Sequence, residues 1–94
     1  MPAAQLGVTG IINANGTVKE AFENFKSERL AAGDYRITYK PEFIEYASPG
    51  VTPMGNNVGV SMSEVSKKGF RVKFPLLLTL LLTDTEFAFQ CIGE

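Results

Sequence analysis

Gly33-Asp34-Tyr35-Arg36-Ile37-Thr38-Tyr39-Lys40 is the stretch that decides the fold class. Tyr35, Ile37 and Tyr39 fall on one side of an extended chain, and Arg36, Thr38 and Lys40 fall on the other. Such period-two alternation in aromatic and β-branched residues marks a half-buried strand. Gly33-Asp34 ahead of it and Pro41 behind it are turn chemistry. The alternation returns in Phe70-Arg71-Val72-Lys73-Phe74 after a Lys67-Lys68-Gly69 turn, and in Phe87-Ala88-Phe89-Gln90-Cys91 after Thr83-Asp84-Thr85. Val58, Val60 and Met62 alternate with Gly59, Ser61 and Ser63, and residues 43–47 read as one more extended segment. Residues 6–12 give a first strand, followed by Asn15-Gly16, a pair that tolerates positive φ and favours a hairpin.

Three stretches resist this reading. In residues 17–32, Val18, Ala21, Phe22 and Phe25 sit at helical spacing, and Thr17 with Glu20 forms a capping-box pattern. Local physics slightly favours a helix there; the competing reading is two strands, 18–22 and 25–30, joined by a turn at Glu23-Asn24. Residues 48–57 (Ser-Pro-Gly-Val-Thr-Pro-Met-Gly-Asn-Asn) have the strongest loop chemistry in the chain, and regular structure is not expected in them. The run Leu76, Leu77, Leu78, Thr79, Leu80, Leu81, Leu82 carries no periodicity. An extended chain here puts leucine on both faces, so both must be covered. In a thin β domain the second face is most simply covered by another copy of the chain, which makes these six leucines a candidate oligomer interface. The alternatives are a short internal helix or a strand enclosed within one subunit.

Seven or eight short strands with turns about every 8–12 residues indicate an all-β protein, an antiparallel β-sandwich of jelly-roll type. The 94 residues make a single domain, 1–94. A chain this short buries only ~60–65% of its unfolded surface, so self-association is a natural supplement. Nine basic and ten acidic side chains leave a net charge of −1 with no basic stripe, which argues against nucleic acid as a partner. Cys91 is the sole cysteine, which excludes an intrachain disulfide and suits a small buried hydrophobe. Met1-Pro2-Ala3-Ala4-Gln5 has no signal-peptide character, and the leucine run is far short of the ~20 residues that span a bilayer. The expectation from these features is a soluble protein made in a cytosol, with no membrane partner; the resemblance described next adds the virion as its alternative location.

Asn15-Gly16-Thr17-Val18, Phe25 to Arg29, Gly33-Asp34-Tyr35-Arg36-Ile37-Thr38-Tyr39 and Phe43 follow one another in a familiar order. With Lys68-Gly69-Phe70-Arg71-Val72 and the stretch from Asp84 through Phe87-Ala88-Phe89 to Ile92-Gly93, they cover most of the chain. This order resembles a module of bacteriophage tail fibres and other virion appendages. More distantly, it is similar to the jelly-roll trimers of tumour necrosis factor and complement-type globular heads. The resemblance implies a compact β-sandwich, often trimeric, that serves as a structural or receptor-facing knob, and it tips residues 17–32 toward strands. Lys19-Glu20-Ala21 and Glu23-Asn24 depart from it by favouring helix.

Catalytic chemistry is sparse. There is no histidine, which removes the commonest general base and transition-metal ligand and rules out Ser-His-Asp and Cys-His constellations. Ser66 beside Lys67 and Lys68 reads as a solvated turn, and no Gly-rich phosphate loop is present. Asp84 with Glu86, two apart, and Glu42 with Glu45, three apart, are carboxylate pairs at spacings that chance supplies; Asp84 and Glu86 are a candidate for a hard-cation site only with help from loop carbonyls. The expectation is no enzyme, no cofactor and no metal. Met54, Asn56 and Asn57 are the candidate ligand-contact residues, because binding concentrates on loops carried by a rigid scaffold and Asn amides suit sugar hydroxyls. The expected partners are further copies of the chain, with cell-surface glycan or other virion proteins beyond them. A small soluble lectin of the same fold is the alternative.

Overall fold

A computed structural model describes the backbone of residues 6–22 and 25–94, and the side chains of all of these except Leu6 and Phe22. Among the described residues eight strands follow in chain order: β1 (Leu6–Ile12), β2 (Val18–Phe22), β3 (Phe25–Ala31), β4 (Asp34–Tyr39), β5 (Ala47–Pro53), β6 (Ser61–Ser63), β7 (Gly69–Lys73) and β8 (Phe87–Gly93). They form two four-stranded antiparallel sheets, ordered β2-β1-β8-β5 and β3-β4-β7-β6, which pack as a β-sandwich. The organising stretch becomes β4, with Tyr35, Ile37 and Tyr39 buried as the alternation requires. Within the 17–32 stretch, Val18–Phe22 and Phe25–Ala31 are strands rather than helix. The turn expected at Glu23-Asn24 lies outside the described residues, as does the Met1–Gln5 segment.

The core is one layer of side chains between the sheets. Val8 and Ile12 from β1 and Phe87, Phe89 and Cys91 from β8 meet Tyr35, Ile37 and Tyr39 from β4 and Phe70 and Val72 from β7. Phe43 and Phe74 enter it from loops. Aromatic edges meet faces through this layer: Phe25 on Phe89 at 4.9 Å, Phe70 on Phe89 at 5.6 Å, and Tyr39 on Phe43 at 4.9 Å between centroids. Each such pair contributes ~0.5–1.5 kcal/mol beyond area burial. Gly10 makes room for the layer, since a Cβ there would stand 2.5 Å from the Phe25 ring.

Three expectations are corrected. Residues 48–57 are not irregular throughout: Ala47–Pro53 is β5, with Pro49 opposite Cys91 and Pro53 opposite Phe87. β5 is an edge strand, which bonds its one neighbour through alternate residues only, so two prolines four residues apart can both turn toward the open edge without costing a ladder bond. Residues 43–47 form no strand before Ala47; Phe43 is instead buried, its N–H donating to the Lys67 carbonyl at 2.9 Å. The strand expected from Val58 shrinks to Ser61–Ser63, because Val58 bridges to Leu76 and the Gly59 N–H donates to the Pro75 carbonyl at 2.8 Å.

The leucine run is also corrected. It is neither an extended strand, nor a helix, nor enclosed. The chain doubles back on itself between Pro75 and Leu82, with Leu80 N–H donating to the Leu76 carbonyl and Leu76 N–H to the Leu81 carbonyl, both at 2.8 Å. The physical reason is topological. β7 ends in one sheet and β8 begins in the other, so residues 74–86 must cross the sandwich end rather than extend a ladder.

Two core tyrosines differ in how their hydroxyls are used. Tyr35 donates to the Ala14 carbonyl at 2.6 Å and accepts the Thr85 N–H at 3.3 Å. Burial pushes its pKa up to about 12. The buried Tyr39 hydroxyl has no hydrogen-bond partner, with only the weakly accepting Cys91 sulfur beside it, and burial pushes its pKa well up. Tyr35→Phe is therefore expected to lose about 1–3 kcal/mol of stability, whereas Tyr39→Phe is expected to be neutral or stabilising. Urea unfolding of both variants checks this, and a larger loss at Tyr39 than at Tyr35 contradicts it.

Candidate functional site

Three surfaces carry the chemistry of this sandwich: the loop-bearing end, and the outer face of each sheet. At the loop-bearing end, Asp84 is the hub. Its carboxylate accepts the single Arg29 Nε–H, shared between its two oxygens at 3.0 and 3.1 Å, and the Gly33 N–H at 2.7 Å, and the Tyr35 hydroxyl oxygen lies 3.2 Å away. The Arg29 guanidinium holds the Asp84 carboxyl below its ordinary pKa, with the Gly33 amide assisting. Gly33 is at φ +65°, and a Cβ on it would stand 2.6 Å from Thr83 N, so only glycine lets the β3–β4 turn lie against the start of this clamp. Glu86 is taken by Lys19 at 3.3 Å. The two acids proposed for a hard cation are thus neutralised by the chain's own cations, and no group of three metal-ligating side chains occurs among the described residues.

Met54, Asn56 and Asn57 are all exposed on the segment that leads from β5 toward β6. Met54 N–H donates to the Glu86 carbonyl at 2.8 Å. Asn57, at φ +57°, presents its carbonyl to Leu77 N–H at 2.9 Å, so its backbone holds the leucine loop. Of the three, Asn57 is the one bonded to that loop, and none lines either of the two cavities described next.

The outer face of β3-β4-β7-β6 is charged. Arg71 grips the buried Asp34 with two bonds, Nε to Oδ1 at 2.9 Å and Nη2 to Oδ2 at 2.6 Å, and reaches Glu64 at 3.2 Å. Arg36 meets the same Glu64 at 3.6 Å. The Arg71 guanidinium holds the Asp34 carboxyl below its ordinary value. A shallow hollow of about 270 Å³ lies beside this network, bounded by Arg36, Thr38, Glu64 and Lys68. The Ser66-Lys68 turn is closed by the Lys68 N–H donating to Ser66 Oγ at 3.1 Å and stays exposed.

The outer face of β2-β1-β8-β5 is the opposite in character. Strand register aligns Glu20, Ile11, Ala88 and Thr52 in one cross-strand row, Thr9, Gln90 and Gly50 in the next, and Gly7, Ile92 and Ser48 in a third. Glu20 is the one titratable side chain in these rows. Small side chains along the middle leave an open trough of about 560 Å³. Reading the sequence for motifs passed over this face. The signal was present in β1 and β8, whose outward alternates (Gly7, Thr9, Ile11; Ala88, Gln90, Ile92) are uncharged, unlike the Arg36 and Arg71 alternates of β4 and β7. The Asp84 clamp left no such signal, because its partners lie 49 to 55 residues away in the chain.

Both clamped carboxylates have folded pKa values below 3.8, so their stabilisation is complete above that value and is lost as pH falls through the lower, folded values. Asp34→Asn and Asp84→Asn should each lower Tm at neutral pH and flatten the acid decline below 3.8. Thermal melts across an acid pH series measure it; an unchanged acid limb in both variants contradicts the clamps.

No family model, curated protein or solved structure matches this chain in the comparisons with known proteins. Among the described residues no helix is long and apolar enough to cross a membrane.

Proposed function

We propose that this chain is a non-enzymatic, self-associating module of the kind used in virion appendages, structural or receptor-facing, whose copies meet through the outer face of β2-β1-β8-β5. The observation that carries the reading is the contrast between the two outer faces. Water-facing sheet surfaces ordinarily carry charge, as Arg36, Glu64 and Arg71 do on one side of this sandwich. Among the described residues the cross-strand rows of the other side present Thr9, Ile11, Thr52, Ala88, Gln90 and Ile92 with Glu20 as their one charge, and the mutually neutralising Lys19–Glu86 pair flanks them. Depletion of charge at the centre of a patch is the compositional mark of a protein–protein interface. A chain of 94 residues also gains most from shared burial. The resemblance drawn from the sequence supports the same reading and favours three copies.

A glycan-binding reading is favoured by one observation on the same face: Thr9, Glu20, Thr52 and Gln90 ring a trough of about 560 Å³ with donors and acceptors that suit sugar hydroxyls. The two readings separate in one pair of measurements. Self-association predicts a mass above the monomer by light scattering at high micromolar concentration, reduced to the monomer by Ala88→Lys, whose side chain points outward and leaves the core intact. A monomeric wild-type protein that binds selectively on a glycan array, and loses binding in Gln90→Ala, overturns self-association in favour of the lectin.

A further inference from the structure

The geometry points to a binding surface for an anionic polysaccharide on the outer face of β3-β4-β7-β6, with one of its sulfate or phosphate esters seated in the hollow beside Thr38 and Gly69. This goes beyond self-association, which uses the opposite sheet, and does not require it. The net charge of −1 conceals how the charge is distributed. Of the nine basic side chains, all but Lys19 and Arg29 lie on this face or in the turns that border it. Of the acidic ones among the described residues, Glu28, Asp34, Glu42 and Glu64 share that surface. The cations are dispersed between residues 26 and 73, so the chain shows no stripe; the pairing of β3, β4 and β7 collects them.

Register sets out the outward positions in rows. Lys26, Thr38 and Gly69 form the first, Glu28, Arg36, Arg71 and Ser63 the second, and Asp34, Lys73 and Ser61 the third. Each row holds a cation, and successive rows stand about 7 Å apart. Asp34 and Glu64 are already engaged: Arg71 takes Asp34 and shares Glu64 with Arg36. Among the described residues no ion pair engages Lys26, Lys40, Lys67, Lys68 or Lys73. An extended anion that spans successive rows therefore suits this face better than a single small ion.

The hollow of about 270 Å³ supplies the specific contact. Arg36 and Lys68 flank it, the Thr38 and Ser66 hydroxyls line it, and Lys26 stands beside Thr38 across the β3–β4 pair. The Ser66 oxygen accepts the Lys68 N–H, which leaves its own hydrogen free to donate. Gly69 is fixed by packing, because a Cβ there would collide with the Ile37 carbonyl, and its missing side chain keeps the hollow open. Among the described residues Arg36 has one ionic partner, Glu64 at 3.6 Å, an exposed pair that contributes little and yields to a stronger anion. Cations and hydroxyl donors around one recess are the chemistry that holds a tetrahedral oxyanion.

Composition chooses the occupant. Lysine is depleted at protein–protein interfaces, yet it predominates here. Single-stranded nucleic acid is held by stacking on exposed aromatic rings, whereas the rings of β3, β4 and β7 turn into the core. A polysaccharide that carries charged esters needs neither an apolar patch nor a stacking ring, only spaced cations with hydroxyl partners.

Calorimetric titration of the full chain with dextran sulfate tests the inference, with uncharged dextran as the control. Dextran sulfate is expected to bind at ~0.15 M salt and more weakly as salt rises, and dextran is expected not to bind. Lys26→Ala/Lys68→Ala alters only exposed side chains and is expected to weaken binding by about tenfold, with an unchanged circular dichroism melt. Thr38→Val should weaken it at constant net charge. Lys19→Ala removes a cation from the other sheet and should leave the affinity within about twofold. Absence of binding at ~0.15 M salt overturns the inference, and so does an equal loss in Lys19→Ala and the double variant. Equal affinity for duplex DNA or polyglutamate overturns the polysaccharide as occupant. Loss of dextran sulfate binding in Gln90→Ala would move the site to the trough of the opposite sheet and overturn this one.

Discussion

The Asp84 carboxylate takes the Gly33 N–H, grips Arg29 and lies against the Tyr35 hydroxyl at the place where the chain has just crossed from one sheet to the other. Hydrophobic burial holds the two sheets together but is non-directional, and a layer of phenylalanines does not by itself forbid a slide of one sheet over the other. Charge-assisted hydrogen bonds do have direction. Through them β3, the β3–β4 turn, β4 and the lead into β8 share one anchor, and Tyr35 extends it to the β1–β2 hairpin through the Ala14 carbonyl. As an ion pair at a partly exposed site, Arg29–Asp84 contributes little on its own. Its importance is geometric, since it fixes where the leucine loop leaves the body.

Strands whose alternation combined aromatic with charged residues were legible in the chain: Tyr35-Arg36-Ile37-Thr38-Tyr39 and Phe70-Arg71-Val72-Lys73 declare both faces at once. Residues 17–32 were ambiguous because Val18, Ala21, Phe22 and Phe25 satisfy a helical stripe, while the strand reading needed the resemblance to tip it. Tertiary pairing of β2 with β1 and of β3 with β4 decides the matter, and pairing is not encoded locally. β5 was missed for a different reason. Pro49 and Pro53 exclude a central strand but are compatible with an edge, and which strand lies at the edge depends on the whole topology. The leucine run was illegible because a homopolymeric stretch carries no period. It discloses only that apolar surface exists, not which way it faces.

The candidate surfaces were legible to a similar degree. Motif reading looked for reactive or ligand-shaped residues and found Met54, Asn56 and Asn57, of which Asn57 is engaged through its carbonyl in holding Leu77. The trough could only emerge once register set Thr9 beside Gln90 and Ile11 beside Ala88. The uncharged alternates of β1 and β8 were visible in the chain, but that they stand side by side on one charge-poor face follows only from the pairing of those strands.

A thin sandwich has two ways to carry apolar surface it cannot enclose, and this one separates them. The broad face of β2-β1-β8-β5 carries little charge but is only mildly apolar, mixing Ile11 and Ile92 with threonine, glutamine and glycine, a composition suited to reversible contact with another protein. The leucine loop concentrates its apolar groups in one segment and contributes nothing to the core, which Phe43, Phe70, Phe74, Phe87 and Phe89 already fill. Because the leucines are dispensable for packing, exchanging them for serine should leave the fold standing. Leu80, at φ +62°, closes the loop through its N–H to the Leu76 carbonyl, so its backbone serves the turn while its side chain stays exposed. The two surfaces lie on different parts of the body, one across a sheet and one at its end, so copies can meet through the first while leaving the second free.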